Sequence, residues 1–70
     1  MSNWKYRVVK KQLGNRGQWF AYPAAMTTAS EDEARKYAEE FAAEQRAAGV
    51  TGTRIVVETR GRKFVAEYSV

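Results

Sequence analysis

The sequence predicts an α+β fold: a two-layer ββαββ sandwich in which one helix, at about residues 31–48, packs on a mainly antiparallel four-stranded sheet. Three observations predict it. Residues 4–11 (WKYRVVKK) alternate apolar and basic side chains. Residues 34–48 repeat apolar side chains at spacings of three and four. Residues 53–70 form two strand-like runs around Arg60 and Gly61.

In the first strand Trp4, Tyr6 and Val8 alternate with Lys5, Arg7 and Lys11, the period of a half-buried strand. Residues 13–17 (LGNRG) hold Gly14, Asn15 and Gly17, which tolerate the positive φ of a tight turn. The aromatic run from Gln18 to Tyr22 then returns as a second strand, which Pro23 stops. Ser30-Glu31-Asp32-Glu33 is a capping box with three acids at the positive end of the helix dipole. From there Ala34, Tyr37, Ala38, Phe41, Ala42, Gln45 and Ala48 share one face, and Gly49 ends the helix.

For the last hairpin a two-residue turn at Arg60-Gly61 pairs Glu58 with Lys63, Val57 with Phe64, Val56 with Val65, Ile55 with Ala66 and Arg54 with Glu67. That register predicts one apolar face and one face of neutralised charges. The expected core is Tyr6, Val8, Phe20, Tyr22, Ile55, Val57, Phe64, Ala66 and Tyr68 against Ala34, Tyr37, Ala38, Phe41 and Ala42.

Seventy residues leave room for one core, so the chain is read as a single domain, 1–70. With no cysteine, its stability has to come from packing, and nine aromatic residues supply the area. No apolar run approaches the roughly 20 residues of a bilayer span, and no signal-peptide h-region is present, so a cytoplasmic protein without membrane contact is expected. Histidine and cysteine are both absent, and the acids lie almost wholly on the helix. The usual nucleophile, base and metal-ligand sets are therefore missing, and neither an enzyme nor a metal or other cofactor is expected.

The net charge of +4 is unevenly distributed. Residues 1–30 carry five bases and no acid, residues 31–48 are net −3, and residues 53–70 are net +2. Because the last hairpin is expected to neutralise itself, the first should hold the free positive charge. The expected function is a small non-enzymatic module that binds nucleic acid, DNA in the first instance, through the outer sheet face. Its candidate residues are Lys5, Arg7, Lys10, Lys11 and Arg16 for phosphates, Trp19 for a base or sugar, and Arg60 and Arg62 at a second basic tip.

Two other readings compete. Lysine and arginine on a solvated strand also discourage edge-to-edge pairing, and a one-residue slip of the first hairpin would turn Trp19 inward. Alternatively, Val9, Trp19, Val56 and Val65 would form an apolar stripe on the same face, suited to a protein target or to a homodimer.

The order of elements around the helix EDEARKYAEEF resembles small orphan ββαββ proteins of bacteriophages and actinobacteria, among them some anti-CRISPR proteins. Residues Thr28 to Ala34 resemble the helix entry of the arm-type DNA-binding domains of phage-family integrases. This chain departs from the integrase arm in having two strands after the helix and no catalytic domain. The resemblance implies a phage-type inhibitor or a DNA-binding module and carries over no site residue.

Overall fold

The computed structural model describes residues 3–70. Its elements run β1 (Tyr6–Leu13), β2 (Trp19–Ala21), β3 (Met26–Thr28), α1 (Glu31–Ala47), β4 (Thr53–Thr59) and β5 (Phe64–Ser69). This is the expected α+β arrangement, one helix on an antiparallel sheet, with five strands where four are expected.

The extra strand follows from Pro23. β2 and β3 both pair with β1, on the edge away from β4, so together they form one interrupted edge strand. Lys11 faces Ala21 and Val8 faces Met26, so the chain gains two residues between the two short strands. Proline cannot donate to a ladder and belongs at an edge or a bulge. The bulge is tied at each end: the Tyr22 amide donates to the Lys10 carbonyl at 2.9 Å and the Ala25 amide to the Val8 carbonyl at 2.8 Å. Pro23 thus interrupts the edge without ending it.

The helix starts where the capping box places it. The Glu33 amide donates to Ser30 Oγ at 3.2 Å, but the reciprocal half of the box does not form, because Thr28 Oγ1 accepts from the Ser30 amide at 3.1 Å in place of the Glu33 carboxylate. At the other end Gly49 takes a φ of +77° while its amide donates to Arg46 and the Val50 amide to Gln45, a complete Schellman closure. Replacing Ser30 by alanine should lower stability by about 1 kcal/mol, read from the midpoint of urea unfolding. A change within error would mean that the cap contributes nothing.

Ala34, Ala38 and Ala42 are fully buried and lie against Val8, Ile55 and Val57, with Tyr6, Met26, Phe41, Val65, Ala66 and Tyr68 around them. Small helix residues allow a close approach, so aliphatic strand side chains fill the space between the layers. Four of the large aromatics expected in this core lie outside it. Phe20 and Tyr22 are 54% and 50% exposed, because the helix packs on β1, β3, β4 and β5 and does not reach β2. Tyr37 flanks the helix, edge-on to Phe41 with ring centroids 6.0 Å apart, and is also exposed.

Phe64, 68% exposed, is displaced by the hairpin loop. The connection has three residues, Arg60, Gly61 and Arg62: the Arg62 amide donates to the Thr59 carbonyl and the Thr59 amide to the Lys63 carbonyl. The added residue sets Phe64 opposite Glu58 on the outer face in place of Val57. A bulge at Val65 then adds one more, so Val57 faces Ala66 and Ile55 faces Tyr68. The register beyond the bulge differs by two from the expected one, so Ala66 and Tyr68 keep the inward side.

On the free side of β5, Arg46 Nη1 donates to the Ser69 carbonyl at 2.8 Å, tying that edge to the helix. No helix among the described residues is long and apolar enough to cross a membrane.

Candidate nucleic-acid interface

Strand alternation assigns the outer face. Since Val8, Ile55 and Val57 face the helix, the odd residues of β1 and the even residues of β4 face away from it. Ladder by ladder, Arg7 lies beside Glu58, Val9 beside Val56, and Lys11 beside Arg54. Ala21 adjoins Lys11 and Trp19 adjoins Leu13 from β2, so Trp19 is on the outer side.

Two ion pairs organise this face. Arg7 Nε donates to Glu58 Oε1 at 2.6 Å, with Nη2 at the same distance, and both side chains are mostly buried. Arg54 Nη1 lies 3.7 Å from Glu67 Oε1, diagonally and not directly opposite, and its guanidinium sits 4.1 Å from the centre of the Trp19 ring. Glu58 therefore neutralises β1 and not Lys63, so the last hairpin is not electrostatically closed. Among the described residues Lys11 and Arg62 take part in no ion pair.

The Pro23 bulge adds a concavity. Where the edge chain leaves the ladder beside Val9, it opens a hollow of about 440 Å³ on the outer face. Arg7, Lys11, Arg62 and Glu58 supply its charge, and Val9, Ala21, Pro23 and Ala24 contribute its apolar lining. Arg62 comes from the β4–β5 loop in a left-handed conformation, φ +67°, the only non-glycine residue with positive φ among those described.

The candidate residues divide accordingly. Arg7, Lys11 and Arg62 meet at the hollow, and Lys5 continues the outward side of β1 beyond Arg7. Trp19 stands on the same face, against Arg54. Lys10 does not join them: it shares the inward side with Tyr6 and Val8, and its Nζ lies 5.2 Å from the centre of the Tyr22 ring. Arg16 is in the β1–β2 turn at one end of the sheet, whereas Arg60 is in the β4–β5 loop at the other, with its guanidinium 4.8 Å from the Trp4 ring centre. The two basic tips are separate.

The apolar stripe is not available as a surface. Val9 and Val56 are outward but only 5% and 3% exposed, flanked by the long side chains of Arg7, Glu58, Lys11 and Arg54. Val65 sits at the bulge, packed against the core, and Val56 faces Glu67 instead. Of the four residues of that interface only Trp19 is exposed.

Arg54, Glu58 and the small side chains of the bulge also belong to this face, although charge and alternation alone do not single them out. Pro23 was the available signal, because a proline between two strand-like runs marks an edge irregularity as readily as an end. Among the described residues no group of three acids could hold a metal ion. In comparisons with known proteins, the chain matches no family model, no curated protein and no solved structure.

Proposed function

We propose that this protein is a non-enzymatic nucleic-acid-binding module that uses the outer face of its sheet. The observation that carries the reading is the pair of uncompensated cations, Lys11 and Arg62, flanking the internally neutralised Arg7–Glu58 pair on a face remote from the acidic helix. Lys5 extends the basic track, and Trp19 with Arg54 supplies an aromatic and cationic surface beside it. Phosphates attract such a face wherever they lie along a strand, while the six acids of residues 31–48 repel them from the helix side. Burial of Val9 and Val56 favours this reading over a protein interface built on the apolar stripe.

Lys5, Lys11 and Arg62 can neutralise about three phosphates, so the logarithm of the association constant should fall against the logarithm of salt concentration with a slope of about −2 to −3. Fluorescence anisotropy with mixed-sequence oligonucleotides at several salt concentrations measures it. Absence of binding at low salt, or binding that ignores salt, would remove the proposal.

A further inference from the structure

We propose that the hollow beside the Pro23 bulge receives one unpaired phosphorylated nucleotide, with Arg62 and Lys11 on its phosphate, making the protein a reader of single strands rather than of duplexes. The inference rests on the nucleic-acid reading above and specifies the form of the ligand.

A hollow of about 440 Å³ is within the range of small-ligand pockets, roughly 300–1,000 Å³. A duplex keeps its bases stacked and presents a convex backbone, whereas a single strand can turn a whole nucleotide into a concavity. Ala21 and Ala24 keep the hollow open where larger side chains would fill it, and with Pro23 they offer exposed apolar contact to a base or sugar, above a floor formed by the buried Val9.

Arg7 is held by Glu58 at 2.6 Å, so it forms part of the wall, whereas Lys11 and Arg62 line the same space and take part in no ion pair among the described residues. Two uncompensated cations beside an apolar lining match a group that is anionic at one end and apolar at the other.

Arg62 holds φ at +67°, the position of a three-residue hairpin loop at which glycine is unstrained. A left-handed conformation is unfavourable for a residue with a Cβ. Stability alone would favour glycine there; a guanidinium at the hollow is what arginine provides instead. Strained residues of this kind concentrate at ligand sites.

That strain also provides the test. Arg62→Gly removes the cation while giving the backbone the residue it accommodates best, so its melting temperature should match or exceed that of the parent. Anisotropy with a 5′-phosphorylated single strand and with its duplex should show the single strand bound about tenfold more tightly by the parent protein. Arg62→Gly should lose about tenfold in single-strand affinity, the effect of one charge-assisted hydrogen bond. Lys11→Gln should act in the same direction, and adenosine monophosphate should compete where adenosine does not. If single strand and duplex bind alike and neither substitution matters, the hollow is not a nucleotide subsite, although binding to the outer face would stand. If neither nucleic acid binds at low salt, both readings fall.

Discussion

Ile55→Ala is expected to lower stability by about 3 kcal/mol. The chain as a whole should be stable by roughly 4–10 kcal/mol, so this one change removes a large share. Ile55 is the largest fully buried side chain, in the central strand β4 and in the cluster with the alanines of the helix. A helix whose contact residues are already alanines has little freedom to collapse into the cavity, which puts the expected cost well inside the range for buried aliphatic truncations. Phe20→Ala is the matching control. Phe20 is larger than Ile55 and its strand position also faces the helix side, but the helix does not reach β2. Its ring lies over Gly14, where an added Cβ would be 2.6 Å from Phe20 Cε2, so its packing is local to the hairpin. The control should cost less than about 1 kcal/mol. Urea unfolding of both variants measures the contrast, and equal losses would mean that the core extends under β2.

Glu58→Gln should move stability and binding in opposite directions. The Arg7–Glu58 pair is mostly buried but not sealed, so its loss should cost about 1–2 kcal/mol, between the values for exposed and fully buried pairs. At the same time Arg7 is released from its carboxylate at the edge of the hollow. Nucleic acid should then bind several-fold more tightly at low salt, with the log–log salt slope steeper by about 0.7–0.9, the increment for one more phosphate. Thermal unfolding and anisotropy on the same preparation report both quantities. A folded variant whose affinity falls would show that Glu58 itself supports the ligand and is more than the partner of Arg7.

Features fixed by neighbouring residues are legible in the sequence, and those fixed by distant partners are not. The helix start was legible because the N-cap bond from Glu33 to Ser30 lies within four residues, and its end because Gly49 has one conformational task. The last hairpin was legible only in its face pattern. Gly61 marked a tight turn, but nothing in an arginine announces the positive φ of Arg62, and that third loop residue turned Phe64 outward. For Glu58 the hairpin pattern points to Lys63, the base opposite it across the expected turn. Its true partner, Arg7, is 51 residues away and is brought close only by the order β2-β1-β4-β5, which no local pattern encodes. At the site, Arg7, Lys11, Trp19 and Arg62 were identifiable from composition and alternation. Lys10 could have been set aside by the same alternation, since it continues the Tyr6 and Val8 side. The hollow itself was not legible, because it is a space created by how far the edge chain departs from β1 at Pro23.

The pairing of β1 with β4 also governs how this chain reaches its native state. Those two strands are the centre of the sheet, and their facing residues are separated by 41 positions at Gln12 and Thr53 and by 53 at Tyr6 and Thr59. Neither hairpin therefore contains the core. Each alone presents an isolated two-stranded unit of marginal stability in water, and the apolar cluster forms only when the ends of the chain come together across the helix. Such a topology delays the reward for loop closure until late in folding, which places the protein with the slower small domains despite its length. It also makes the transition cooperative, because Val8 belongs to one hairpin and Ile55 and Val57 to the other, and they meet only when β1 docks on β4.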